Sequence, residues 1–182
     1  MTLLLALLLA CGPKAAPPVS PVNPSAALAP ETLPTPYTAE QIRDAMPVGT
    51  VIRLKMEVSG QPLTEQRWTV TAADAEGCTI HSEVLDAGTG ALLVDEGSDA
   101  SRWDELRDHA AFPAAHTTQA EGEITVPAGT FATRIYHVSA PDAPSRHFWF
   151  SPDLPGPPVQ MTVLAPDGAE LMRMSLIERT RP

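Results

Sequence analysis

Between residues 52 and 58 every second side chain is apolar (Ile52, Leu54, Met56, Val58) and those between are charged (Arg53, Lys55, Glu57). Successive side chains of a β-strand point to opposite faces, so this run predicts a strand with one buried and one wet face. Such strands belong to antiparallel sheets covered on one side only. The same period returns in Trp68, Val70 and Ala72 against Arg67, Thr69 and Thr71. It returns again in Cys78, Ile80 and Val84 against Thr79, His81 and Glu83, with residues 74–77 as the turn between the two. A further short strand is expected at 91–96 after Gly88-Thr89-Gly90. The second half reads as strands near 117–126, 131–138, 146–151, 159–164 and 170–179, and Pro166-Asp167-Gly168 makes the turn between the last two.

Two helical segments interrupt the strands. Thr38-Ala39-Glu40-Gln41 fits a capping box, is followed by Ile42 and Met46 at helical spacing, and stops at Pro47-Val48-Gly49. Ser101-Arg102-Trp103-Asp104 has the same pattern and opens a short helix with Trp103, Leu106 and Ala110 on one side. Sequential strands with short connections favour one sheet, and a sheet this long twists and curls. The expected fold is therefore mainly β (α+β): a curled antiparallel sheet or half-barrel with two short helices, one or both of them against its concave side.

The N-terminus has a different character. Seven apolar residues, 3–9, lead into Leu8-Leu9-Ala10-Cys11. The run is too short to span a bilayer, which takes about 20 residues, but suits a signal-peptide core ending at small residues. Leu8, Leu9, Ala10 and Cys11 resemble the Leu-small-small-Cys pattern of bacterial lipoprotein signals. That resemblance implies cleavage before Cys11 and acylation of Cys11, which would anchor the protein to a membrane. Gly12 in place of Asp implies the outer membrane, facing the periplasm. Only Met1 and Thr2 precede the apolar run, where such signals carry Lys or Arg, which suggests a weak signal or a start codon placed too far downstream. From Gly12 to Pro36 the chain is Pro, Ala, Ser and Val with almost no charge, and holds eight of the twenty prolines. Such a stretch cannot bury enough apolar surface to offset its ordering entropy. The expected organisation is a signal peptide at 1–10, a lipidated Cys11 with a disordered tether over 11–36, and a single β-rich domain at 37–182.

Charge narrows the partners. Lys+Arg 12 against Asp+Glu 22 gives a formal net charge of -10, and an acidic chain without a basic stripe is a poor match for nucleic acid. Membrane contact is expected through the acyl anchor. With Cys11 acylated, Cys78 has no disulfide partner and is expected as a buried structural thiol.

Catalytic patterns are missing from the sequence. His81, His109, His116, His137 and His147 show no H-E-x-x-H spacing and the cysteines no C-x-x-C. His137 and His147 flank a hairpin and could meet across it. There is no G-x-S-x-G elbow, P-loop or Gly-rich dinucleotide fingerprint. No cofactor and no metal site are expected.

Two segments of the second half, Val126-Pro127-Ala128-Gly129-Thr130-Phe131 and Phe148-Trp149-Phe150-Ser151-Pro152, the latter running on through Gly156 to Val159, resemble paired signatures of uncharacterised bacterial secreted proteins. In layout these resemble the periplasmic lipoprotein carriers of the LolA/LolB type, curled antiparallel sheets with helices across an apolar cavity. The resemblance implies a similar architecture here. On residue chemistry alone, Pro127 and Gly129 make a turn. The prolines at 152, 155, 157 and 158 stiffen a loop that would shield a strand edge or form a cavity rim. The expected function is a non-catalytic cell-envelope lipoprotein. Its sheet would bind an apolar ligand or lipid in a cavity lined by Met56, Trp68, Trp103, Phe131 and Phe148. The alternatives are a structural or assembly protein presenting a surface to another envelope protein, without a cavity, and a hydrolase or metal enzyme using the histidines.

Overall fold

The computed structural model describes residues 31–141 and 143–182. The expected signal peptide, Cys11 and the tether up to Pro30 lie outside the described residues. The elements run α1 (Ala39–Ala45), β1 (Val51–Val58), β2 (Thr64–Ala73), β3 (Gly77–Asp86), β4 (Leu92–Arg102), α2 (Trp103–Asp108), a 3-10 turn (Ala114–His116), β5 (Thr117–Val126), β6 (Gly129–Val138), β7 (Ser145–Phe150), β8 (Gln160–Leu164) and β9 (Glu170–Thr180). All nine strands form one antiparallel sheet in the order β4-β3-β2-β1-β9-β8-β7-β6-β5. It is not closed, and with its two short helices it is the curled sheet expected from the alternation. No helix among the described residues is long and apolar enough to cross a membrane.

The strand order shows why the sheet curls. The chain starts at the centre with β1, meanders out to one edge at β4, re-enters at the opposite edge with β5 and returns to the centre as β9. Strands an even number of steps apart run parallel in an antiparallel sheet, so the link from β4 to β5 must cross it from side to side and from end to end. A flat sheet would put those edges about 38 Å apart at ~4.8 Å per strand. The fourteen residues between Arg102 and Thr117 include the six of α2, and together reach at most about 35 Å. The edges must therefore approach one another, and the link runs over the concave face. At one end the sheet nearly meets itself, where the Ala128 N–H in the β5–β6 turn donates to the Leu176 carbonyl of β9 at 3.1 Å.

The two faces divide as the period predicts. On β1, Ile52 and Leu54 are buried and Met56 half-buried. On the opposite face Arg53 reaches Glu65 at 2.6 Å and Glu178 at 3.2 Å, and Arg67 grips Glu83 through two hydrogen bonds at 2.6 and 2.8 Å. The convex face is thus a solvated ladder of ion pairs, and the core lies between the concave face and the helices.

Two details depart from the sequence reading. β4 extends to Arg102 rather than ending near 96, because Gly97, at φ 84, forms a bulge that carries the strand on. The Asp95 carboxylate accepts from the Gly97 N–H at 2.9 Å. The second helix starts one residue later than its motif suggests: Arg102 caps it, and its N–H donates to the Glu105 carboxylate at 2.9 Å. At α1 the capping box is as read, with Thr38 and Gln41 exchanging hydrogen bonds of 3.1 and 2.8 Å.

The last residues before the domain also pack. Leu33 donates to the Phe112 carbonyl at 2.9 Å, Pro34 accepts from the Tyr136 hydroxyl at 3.0 Å, and Thr32 bridges Pro113. The described end of the proline-rich segment is therefore strapped over the β4–β5 link.

Candidate functional site

Strand register assembles the concave face from distant residues. Met56 lies opposite Met174, Met174 opposite Met161, Met161 opposite Phe148, and Phe148 opposite Tyr136. Side chains directly opposite one another share a face, so a band of three thioethers and two aromatic rings crosses β1, β9, β8, β7 and β6. Phe112, on the crossing link, stacks on Phe148 at 4.7 Å between centroids and leans on Tyr136 at 5.2 Å. Tyr136 in turn meets Phe150 edge-on at 5.7 Å, which makes a rigid aromatic wall at one end.

Two helices of seven and six residues are too short to fill the concavity. What remains is a partly open cavity of about 560 Å³, within the ~300–1,000 Å³ of small-molecule sites. Its floor is the methionine band with Trp68 and Ile80, and its roof is Ile42 and Met46 of the first helical segment with Leu106 and Ala110 of the second. Gly156, Pro157 and Pro158 close one side, while polar groups (Gln66, Ser82, Asp99, Ser101, Arg107, His109) gather on the β2–β4 and α2 side. The proline loop thus lies at the cavity, and it joins β7 to β8, two internal strands. The free edges are β4 and β5, so the loop shields no edge.

Of the residues expected to line a cavity, Met56, Trp68 and Phe148 stand on this one. Trp103 is buried beside it in the core, where its indole N–H donates to the Asp74 carbonyl at 3.0 Å. Phe131 packs half-buried against the core from β6 and does not line the cavity. Sequence reading missed Met46, Phe112, Phe150, Met161 and Met174. Their signal was the apolar phase of each segment, but nothing local told which strands would lie side by side.

Arg179 holds one end of the site together. Its guanidinium donates to the Ala45 carbonyl at the end of α1 at 2.6 Å and to the Pro155 carbonyl at 3.0 Å, so it ties α1 and the proline loop to β9. Burial pulls its pKa down to about 10, helped by the charge of Arg181 and opposed by Tyr37, and it stays protonated at neutral pH. The Tyr37 hydroxyl donates to the Ser151 carbonyl at 2.6 Å, and burial pushes its pKa far above the ordinary phenol value. A phenol so raised and so bonded is a structural tie rather than an acid or base at neutral pH.

The remaining reactive groups are dispersed. Cys78 is free and buried, and burial raises its pKa, which keeps it a thiol. His137 and His147 do meet across β6 and β7 with ring centroids 4.1 Å apart, and burial, then His137, lowers the His147 pKa. His81 lies elsewhere, between Ser98 at 3.1 Å and Asp95 at 3.5 Å. No three His, Cys, Asp or Glu side chains among the described residues are grouped to hold a metal ion.

No protein-family model and no curated protein matches the chain. Solved structures do. A candidate exported protein with a YmcC-like fold from Bacteroides fragilis aligns over 74% of this chain and 96% of its own at 11% identity and a TM-score of 0.46. A chain of the Pseudomonas aeruginosa MucA/MucB complex aligns over 78% of this chain at 14% identity and a TM-score of 0.52. MucB by itself aligns over the same share at 14% identity and a TM-score of 0.51. This chain covers only 54% and 56% of those two longer chains. At such identities the likeness is one of fold: the curled sheet occurs as part of a larger protein in MucB.

Proposed function

We propose that this chain is a non-catalytic lipoprotein of the bacterial cell envelope that holds an apolar ligand, a lipid or an acyl chain, in its concave cavity. The cavity carries the reading: about 560 Å³ walled by four methionines, Trp68 and an aromatic cluster, with most of its polar side chains on the β2–β4 and α2 side. Methionine is unbranched and polarizable and adapts to ligands of different outline, which suits chains of variable length better than one rigid substrate. Structural relatedness to MucB, solved in complex with a second protein, MucA, supports binding rather than chemistry. In this reading Cys11 carries the acyl anchor, the proline-rich tether from Gly12 to Pro30, ahead of the strap at 32–34, spaces the domain from the outer membrane, and the domain faces the periplasm.

Two measurements on the full chain, purified gently from membranes of its native host, test the two halves. Native mass spectrometry should show retained adducts of lipid mass that organic extraction removes and added lipid restores. A protein that never shifts with any lipid overturns the cavity reading. Intact mass beside a Cys11→Ala variant should show loss of residues 1–10 with acyl chains added, absent from the variant; an unmodified mass retaining the leader overturns the anchor.

A further inference from the structure

Strands β6 and β7 carry the aromatic wall on one face and a pair of histidines on the other. Tyr136 and Phe148 lie opposite one another on the concave side, so their chain neighbours His137 and His147, also opposite one another in register, point out through the convex face. The two ring centroids stand 4.1 Å apart with their planes at 50°, and both residues are half-buried. His81 is placed differently, between Ser98 and Asp95, whereas His137 and His147 face each other. The row continues with Thr118 of β5 beside His137 and Thr162 of β8 beside His147. Arg173 of β9, the next charge along it, stands beyond Thr162 and is engaged by Glu170. Trp149 flanks the pair, its ring tilted against His147 at 5.9 Å between centroids.

Two imidazoles held side by side on paired strands form a chelating pair, and strands place ligands more precisely than loops do. Ring nitrogens bind transition metals at about 2.0–2.1 Å, which sets two ring centroids on one ion about 4.5–5 Å apart. From 4.1 Å the rings need open by less than about 1 Å, a small change in χ2, which is a soft torsion in histidine. Donor chemistry selects the ion. Imidazole suits copper, zinc and nickel, whereas calcium and magnesium take oxygen ligands. No third His, Cys, Asp or Glu among the described residues completes a set with the pair, so water fills the remaining positions. We propose that His137 and His147 form a two-histidine site on the convex face for a divalent transition-metal ion of the copper and zinc class, which clamps β6 to β7. Copper(II) should bind tightest, as it does at nitrogen sites in general. The site lies on the far side of the sheet from the cavity, so either can be present without the other.

Metal titration of the full chain tests it, with Cys11→Ala present throughout so that the Cys11 thiol takes no ion. Copper(II) chloride, a contact quencher of indole fluorescence, should quench part of the tryptophan emission and saturate at one ion per chain. The quenched residue should be Trp149, since Trp68 lines the cavity and Trp103 is buried in the core. Zinc chloride, which does not quench, should displace the copper and by itself raise the thermal unfolding midpoint by a few degrees. His137→Gln and His147→Gln should each weaken copper binding about tenfold or more, and His81→Gln should leave it unchanged. Trp149→Phe should remove the quenching and keep the zinc shift. Each changed residue is half-buried on the convex face, and circular dichroism checks that the sheet is kept. Copper binding that survives both histidine changes together, quenching that persists in Trp149→Phe, or no saturable binding below about 0.1 mM metal would sink the proposal.

Discussion

Arg179 concentrates more of the structure than any other single residue. It brings a charge into a half-buried position and gives it two carbonyls, of which Ala45 ends a helix where a cation is favoured. Hydrogen bonds from charged donors contribute about 1.5–3 kcal/mol, so Arg179→Ala should lower stability by roughly 2–3 kcal/mol in urea unfolding. Arg179→Lys should recover only part, because one ammonium cannot reproduce the forked geometry. Gly156 sits against the same guanidinium at φ 141, and a Cβ there would come 3.3 Å from Met46 Sδ. Gly156→Ala should therefore destabilise by about 1–2 kcal/mol and shift the cavity rim. On the convex face the Arg67 hydrogen bonds hold the Glu83 carboxyl below its ordinary pKa. A folded-state pKa below the unfolded one means that the pair stabilises above the unfolded carboxylate range and that this is lost as pH falls through the lowered value. Glu83→Gln should flatten the fall in stability between neutral and acid pH, and an unchanged profile would show that Arg67 and Glu83 do not couple.

At the scale of elements, local chemistry and register play separate parts. The α1 capping box is set by four consecutive residues, and Thr38→Ala should cost about 1 kcal/mol in thermal or urea unfolding. That helix was legible because its signal is local, as was the Pro166-Asp167-Gly168 turn, which separates β8 from β9 with Gly168 at φ 86. β4 was read short because Gly97 looks like an end and works as a bulge. The convex ion pairs follow from register: Arg67 lies opposite Glu83, a pairing that exists only once β2 and β3 align. The methionine band is of the same kind, since Met56 and Met174 are more than a hundred residues apart in the chain.

For the molecule as a whole, the crossing link is the decisive element. It carries Phe112, which touches the β6–β7 aromatic wall, accepts a hydrogen bond from Leu33 and lines the cavity. Phe112→Ala should cost about 3–4 kcal/mol and speed amide exchange at Leu33, a residue not in direct sequence contact with it. Unchanged exchange at Leu33 would mean that the strap holds independently. The period-two alternation, the capping residues and the turn residues determined a mainly β chain with two short helices, because each acts over a few neighbouring residues and states a preference that the sheet then uses. Which strands are neighbours, that Trp103 and Phe131 fall outside the cavity while Met161 and Met174 fall on it, and that a cavity exists at all were decided by tertiary structure. The reason is geometric: a fourteen-residue link must join opposite edges of a nine-stranded sheet. The sheet therefore curls further than two short helices can fill.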